Sequence, residues 1–237
     1  MTGARPSDVP VPAVIFDLYG TLVPEFTHEQ FYASIDHMAT VLGADPAAFR
    51  DAWNRTVIER QTGVFATMDE NVLAICEAMG LPEPATAEVT LALKRRAEMY
   101  ETWFRPRVGA VETLTELRAR GFRLGLISMC APDTPPMWEA SAFRGLVDVE
   151  VFSSVVGLRK PDPAIYRYAC DALGVEPEDC IYCGDGAYRE LTGATEFGMT
   201  AVEIRDPDVD ITTLLHLEGE DWTGARIADL RELIGMV

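Results

Sequence analysis

Four polar residues stand at, or just beyond, the ends of apolar runs in this sequence: Asp17, Ser128, Lys160 and Asp185. Each one alone is also compatible with a turn, a helix cap or a solvated surface position. The carboxyl ends of parallel strands share one edge of a sheet, and ligands bind at that edge. We therefore expect two carboxyls, a hydroxyl and an ammonium to meet in one reactive pocket.

The elements that would position these residues alternate between strand and helix. Val14–Phe16 is fully apolar and predicts a strand covered on both faces. After Pro106, helical patterns alternate with strand patterns, which predicts an α/β protein with a Rossmann-like parallel sheet and helices on both faces. The later predicted strands are Phe122–Ile127, Val149–Ser153, Cys180–Cys183 and Thr200–Ile204, and predicted helices include 138–143, 163–173, 190–197 and a final one over 223–233.

Residues 24–104 have a different pattern, without a convincing strand. Thr27–Gln30 has the form of a capping box, and further helices are predicted over 46–61, 69–79 and 86–104. This block follows the first strand directly. We therefore expect an α/β core made of residues 1–23 and 105–237, with residues 24–104 as an all-helical cap over the edge that carries Asp17.

Composition limits the possible partners. The formal charge of −18 over 237 residues argues against binding to a nucleic-acid backbone. No apolar run approaches the ~20 residues that span a bilayer, and residues 1–12 form a polar tail with three prolines rather than a secretory signal. We expect a soluble cytoplasmic protein with no membrane partner, and the sequence gives no indication of its oligomeric state.

Five cysteines form no disulfide-like framework, which is typical of a reducing compartment. Cys180 and Cys183 are spaced like a redox or zinc pair. They lie in an apolar, strand-like run, however, and no second Cys/His pair is close in sequence. Buried thiols acting as small hydrophobes are the favoured interpretation.

Together these motifs resemble the haloacid dehalogenase-like hydrolase superfamily over nearly the whole chain. The first motif stands as Asp17-Leu-Tyr-Gly-Thr21, the second as Leu124-Gly-Leu-Ile-Ser128 and the third as Lys160-Pro-Asp-Pro163. The fourth is Gly184-Asp185, with the further acidic residue Glu190. Four motifs in the right order, with a helical insertion between the first two, make a specific signal.

The resemblance implies phosphoryl transfer through an aspartyl-phosphate on Asp17, acting on a small anionic substrate. It implies Mg²⁺ held by the Asp17 carboxylate, the Tyr19 backbone carbonyl and Asp185, with Glu190 helping directly or through water. Lys160 would offset the charge of the nucleophile and the phosphoryl oxygens, and Ser128 would donate a hydrogen bond to them.

Tyr19 departs from the phosphatase pattern. Phosphatases of this superfamily usually carry a second Asp there, which protonates the leaving alcohol, and loss of such acid–base help costs about 10²–10⁴ in rate. Glu25 and His28 are conceivable replacement donors, although exposed residues at a helix start are the favoured interpretation of both. Arg95, Arg96 and the Trp103-Phe104 pair are possible substrate contacts, with a solvated face and core packing as the favoured interpretation.

The same tyrosine suggests two alternatives. The 2-haloacid dehalogenases resemble this chain in having Asp-x-Tyr-Gly-Thr, and they displace halide without a metal. They also need a cationic cap residue, for which Arg50 or Arg55 could serve, although a solvated helix face is the favoured interpretation of both. The other alternative is a binding protein that has kept the fold and lost turnover. Gly184-Asp185 favours a Mg²⁺-dependent phosphatase over the dehalogenase, and retention of Asp17, Lys160 and Asp185 argues against a protein without turnover.

Overall fold

The computed structural model describes residues 12–215 and 220–237, so nearly all of the predicted polar tail over residues 1–12 lies outside the described residues. Six strands form one parallel sheet in the order β3-β2-β1-β4-β5-β6, and the predicted α/β class is confirmed. The strands are β1 (Ala13–Phe16), β2 (Arg123–Ser128), β3 (Val149–Phe152), β4 (Cys180–Gly184), β5 (Thr200–Ile204) and β6 (Ala225–Ile227).

Five helices fill the chain between β1 and residue 104. Thr27 caps the first of them, with the Gln30 amide donating to Thr27 Oγ1 at 3.2 Å and the Gln30 side chain accepting from the Thr27 amide at 3.0 Å. Apolar side chains of four of these helices share a hydrophobic cluster of their own. The helices are α1 (His28–Val41), α2 (Pro46–Arg55), α3 (Val57–Gln61), α4 (Met68–Ala78) and α5 (Thr86–Trp103).

The remaining helices cover the two faces of the sheet. In β1, Val14 and Phe16 point to the face that α6 (Ala110–Ala119) covers. Ile15 points to the opposite face, which α9 (Pro163–Leu173) and α10 (Glu190–Phe197) cover. These helices are α6 (Ala110–Ala119), α7 (Thr134–Glu139), α8 (Ser153–Val156), α9 (Pro163–Leu173) and α10 (Glu190–Phe197). The sheet core is therefore covered on both faces, and β1 lies at its centre.

The same alternation separates the two cysteines of β4. Cys180 packs in the cluster on one face and lies 3.8 Å from the Cys170 sulfur, whereas Cys183 packs in the cluster on the other face. All five cysteines are buried and free. Because Cys180 and Cys183 point to opposite faces, they share no site, and their role as small buried hydrophobes is confirmed.

Three predicted helices differ from the structure. The helix predicted over residues 223–233 is wrong: Ala225–Ile227 pairs with β5 as an edge strand, and a 3₁₀ helix follows over Leu230–Gly235. Ile227, Leu230 and Leu233 are all buried, although they belong to two different short elements. In the sequence, their spacing of three residues resembles the apolar face of a single helix. The helix predicted over 46–61 breaks into α2 and α3, and the one predicted over 138–143 begins earlier, as α7.

Among the described residues, no helix has both the length and the apolar character needed to cross a membrane.

Candidate active site

Two neighbouring strands place two acids at the same edge of the sheet. β1 pairs with β4, and Phe16 lies opposite Cys183. The strands end one residue before Asp17 and Asp185, and the Asp17 amide still donates to the Cys183 carbonyl at 2.9 Å. Both carboxylates are more than nine-tenths buried. Strand pairing therefore brings together two residues that are 168 positions apart in the sequence.

Lys160 reaches the same edge from the loop before α9. Its Nζ donates to Asp17 Oδ1 at 2.6 Å and to Glu190 Oε2 at 2.5 Å. Glu190 is held in turn by the Tyr182 hydroxyl at 2.6 Å and by the Gly186 amide at 3.2 Å. Because protein donors already occupy both of its oxygens, Glu190 fixes the ammonium that contacts Asp17.

The carboxylates of Asp17, Asp185 and Glu190 offer oxygen atoms that all lie within 4.8 Å of one another. Burial, followed by repulsion from Glu190, raises the pKa of Asp17 to about 7 against the lowering effect of Lys160. Burial and then Asp17 raise the pKa of Asp185 to about 7, and burial also raises the pKa of Glu190. When all three carboxyls are ionised, one ammonium leaves two negative charges unbalanced, and the oxygen-only donor set fits a divalent hard cation such as Mg²⁺.

Gly20 makes the close approach of the first motif to Asp185 possible. Its φ is +78°, and a Cβ there would lie 2.1 Å from Asp185 Oδ2. Arg107 fixes the same turn by donating from Nη1 to the Gly20 carbonyl at 2.5 Å. The glycine of the motif is thus required both for its backbone conformation and for the space it leaves.

Ser128 ends β2 beside this cluster, as the sequence predicts. Its hydroxyl is fully buried and makes no standard hydrogen bond to the described residues, with the Cys130 thiol a weak neighbour. A buried hydroxyl costs free energy unless it is paired. This group is therefore suited to donate to an oxygen atom brought in by a substrate.

Tyr19 turns its side chain away from the carboxylates towards aromatic neighbours. Its hydroxyl lies 3.0 Å from Thr134 Oγ1, and its ring packs against Phe26 and Phe104 at centroid distances of 5.3 and 6.1 Å. Burial is the main cause of a pKa well above that of an ordinary phenol. The phenol therefore stays protonated at neutral pH.

Two cavities adjoin this edge of the sheet. The larger, of about 460 Å³, is lined by Gly20, Glu25, Arg107 and Asp185 among others. Glu25 also lines the smaller cavity, of about 100 Å³, between the helical segment and the sheet edge. Burial, and then repulsion from Asp185, raise the pKa of Glu25 well above its usual range. Of the two conceivable proton donors, Glu25 thus lines both cavities, whereas His28 is exposed.

The arginines of the helical segment divide into solvated ones, as the sequence favours for Arg50 and Arg55, and buried ones. Arg50 pairs with Asp36, Arg55 is exposed, and neither lines either of these two cavities. Arg96, for which a solvated face or core packing was favoured, is 3% exposed and lines the smaller cavity, as does Arg60. No sequence signal distinguishes these two cations from the others, because helix packing decides which face is covered.

Known proteins that are similar in sequence to this chain include both dehalogenases and phosphatases. A sequence model described as haloacid dehalogenase-like hydrolase matches residues 11–198. The chain is 26% identical to (S)-2-haloacid dehalogenase 4A of Burkholderia cepacia, covering 86% of this chain and 89% of that one. It is 24% identical to glyceraldehyde 3-phosphate phosphatase of Methanocaldococcus jannaschii, covering 96% and 97%.

Among solved structures, the HAD phosphatase from Thermococcus onnurineus superposes with a TM-score of 0.65 at 22% identity, covering 95% of this chain and 97% of that one. The chain therefore belongs to the haloacid dehalogenase-like hydrolase family, and the resemblance seen in its motifs is confirmed. Relatives of both kinds have similar identity, so membership of the family defines the protein as a hydrolase.

Proposed function

We propose that this hydrolase is a Mg²⁺-dependent phosphatase of small anionic phosphate esters, with Asp17 as its nucleophile. The observation that carries the proposal is the buried cluster of Asp17, Asp185 and Glu190, which holds more negative charge than Lys160 can neutralise. Displacement of halide from carbon needs no divalent ion, and such a cluster would then only cost stability.

In this proposal, Asp17, Asp185 and the Tyr19 backbone carbonyl are the protein ligands of Mg²⁺, and Glu190 acts through Lys160. When bound, the ion would neutralise the cluster and polarise the phosphoryl oxygens. Lys160 holds the Asp17 carboxylate in place at 2.6 Å and supplies positive charge beside it. These groups counter the repulsion between an anionic nucleophile and an anionic substrate.

The chemical step forms a bond from an Asp17 carboxylate oxygen to phosphorus and breaks the bond from phosphorus to the leaving oxygen. Ser128 donates a hydrogen bond from its unsatisfied hydroxyl to a phosphoryl oxygen and keeps its proton. Glu25 gives its proton to the departing alkoxide, and its carboxylate then removes a proton from the water that hydrolyses the aspartyl-phosphate. Burial of Glu25 beside Asp185 keeps that proton in place for the first step.

We further propose that residues 24–104 act as a cap over a core of residues 1–23 and 105–237. Two features support these bounds: α1, α2, α4 and α5 share a hydrophobic cluster of their own, and both cavities adjoin the sheet edge that carries Asp17. Enclosure by the helices would exclude water from the aspartyl-phosphate during the first step and would select the leaving group.

A 2-haloacid dehalogenase is the second candidate, favoured by Tyr19 and by the relative from Burkholderia cepacia. The two are distinguished by measuring phosphate release from an aryl phosphate with Mg²⁺ and chloride release from 2-chloropropionate without it. We expect phosphate release only, with its complete loss in Asp17→Asn. Chloride release that is insensitive to EDTA would replace the phosphatase proposal, and turnover of neither substrate by the folded protein would indicate a binding protein.

A further inference from the structure

The smaller cavity contains two buried guanidinium groups. Arg96 and Arg60 are 3% and 4% exposed, and both line it. Arg96 Nε donates to Asp133 Oδ2 at 2.9 Å and Arg96 Nη2 donates to the Tyr100 hydroxyl at 2.7 Å. Its remaining nitrogen, Nη1, is buried without a hydrogen-bond partner among the described residues. One donor of this guanidinium is therefore available to a ligand.

Arg60 is surrounded by neutral acceptors. Its Nη1 donates to the Trp53 carbonyl at 3.2 Å, to Thr56 Oγ1 at 3.0 Å and to Asn71 Oδ1 at 3.0 Å. Within the described part of the chain it forms no ion pair. Burial and then the charge of Arg96 lower its pKa to about 10. The Arg60 cation thus lacks a counterion of its own.

The two guanidinium groups of the cavity share one ion-paired carboxylate. Asp133 pairs with Arg96, whereas Glu25, the other acid of the lining, is in none of the ion pairs of the described residues. Arg60 therefore has no paired carboxylate at this cavity, in a protein whose formal net charge is −18. The phenols of the lining add no charge at neutral pH.

Aromatic contacts do not replace a counterion for these guanidinium groups. The Arg60 and Arg96 guanidinium carbons lie 4.1 and 5.0 Å from the centroid of the Trp53 ring. Cation–π contacts contribute only a small part of what desolvation costs a buried ion. Trp53 Nε1 is itself buried without a hydrogen-bond partner among the described residues, which adds a second available donor beside the guanidinium groups.

We propose that this cavity is a subsite for a carboxylate carried by the leaving group of the substrate, with Arg96 and Arg60 as its specificity-determining residues. The inference rests on the proposed phosphatase function, since it describes the part of the substrate beyond the phosphoryl group. The lining includes Tyr19, Cys130 and Ala187, each two residues beyond Asp17, Ser128 and Asp185 respectively, so the cavity opens beside the reacting groups.

The size of the cavity limits what can enter. Its volume of about 100 Å³ is much smaller than the about 460 Å³ of the larger cavity. A carboxymethyl group fits a space of this size. The preferred substrates are therefore short phosphorylated hydroxy acids, in which a carboxylate lies one or two carbons from the ester oxygen.

The test compares phosphoglycolate with ethyl phosphate, two esters of equal length that differ in the carboxylate. With Mg²⁺ present, we expect at least a tenfold preference in kcat/KM for phosphoglycolate. Arg96→Gln should lower kcat/KM for phosphoglycolate about 10- to 100-fold, the effect of losing a charged hydrogen bond, and that for ethyl phosphate less than threefold. Arg95→Gln is the matched control, because Arg95 is exposed on the same helix and pairs with Glu98.

A binding measurement separates this inference from the proposed function. By titration calorimetry, phosphonoacetate should bind unmodified protein at least tenfold more tightly than ethylphosphonate, and this comparison decides the matter if Arg96→Gln does not fold. Equal binding of the two, equal losses with both esters in Arg96→Gln, or chloride displacing phosphonoacetate at lower concentration than acetate would overturn the carboxylate subsite. Tight phosphonoacetate binding without hydrolysis of either ester would refute the phosphatase and leave the subsite standing.

Discussion

Removal of one charge from the carboxylate cluster should stabilise the protein when no metal is bound. Burial and repulsion from Asp17 raise the pKa of Asp185 from 3.8 to about 7. At 1.36 kcal/mol for each pH unit, this raised pKa corresponds to about 4 kcal/mol for an isolated carboxyl ionised at pH 8. Asp17 shares the repulsion, and the amide introduced in Asp185→Asn must still be hydrogen-bonded. We therefore expect this substitution to raise the free energy of unfolding by about half of that value, roughly 2 kcal/mol.

The change in stability with pH follows from the number of protons bound in the folded and unfolded chain. A carboxyl with a higher pKa in the folded chain binds more protons folded than unfolded, so the metal-free protein loses stability as pH rises from about 4 through about 7. The advantage of Asp185→Asn should therefore be largest at pH 8 and should disappear towards pH 4. At 2–4 °C for each kcal/mol in a chain of this size, it corresponds to about 4–8 °C in Tm at pH 8.

The assay is thermal unfolding in EDTA and in Mg²⁺, at several pH values. Saturating Mg²⁺ at about 100 times its Kd should stabilise the unmodified protein by about 2.7 kcal/mol and should have little effect on Asp185→Asn. Asp51→Asn, an exposed site on α2, removes the same formal charge and serves as control. A lower Tm for Asp185→Asn in EDTA at pH 8, or equal stabilisation of both proteins by Mg²⁺, would refute the reasoning.

Three further substitutions test the roles of neighbouring residues. Tyr19→Asp, made in the Glu25→Gln variant, should raise kcat for alkyl phosphates about 10²-fold, the lower end of a general-acid contribution, because the new carboxyl replaces the lost donor; an unchanged or lower rate would give the tyrosine a positive role. Gly20→Ala should reduce Mg²⁺-dependent turnover at least tenfold, because its Cβ would lie 2.1 Å from Asp185 Oδ2; unchanged kinetics would contradict that contact. Glu25→Gln should slow ethyl phosphate more than p-nitrophenyl phosphate, whose leaving group needs no proton; equal losses would exclude Glu25 as the donor.

The sequence was sufficient to predict most of the sheet. Short apolar runs with turn residues behind them identify β1, β2, β4 and β5, because a strand buried on both faces has no polar alternation. The sixth strand was missed because Ala225–Ile227 is a short edge strand, paired on one side, whose single buried residue continues the spacing of the following 3₁₀ helix. In such segments, pairing with a neighbour decides the structure and local pattern does not.

The chemistry of the edge was also visible in the sequence, because strand ends and motif spacing fix where Asp17, Lys160 and Asp185 must stand. Only the tertiary structure showed that Glu190 holds Lys160 and that Glu25 lies beside the acids. Likewise, Arg96 and Arg95 are adjacent in sequence, yet one is buried at a cavity and the other is solvated. Periodicity predicts that a helix has a covered face, but contacts between helices distant in sequence determine which charges that face encloses.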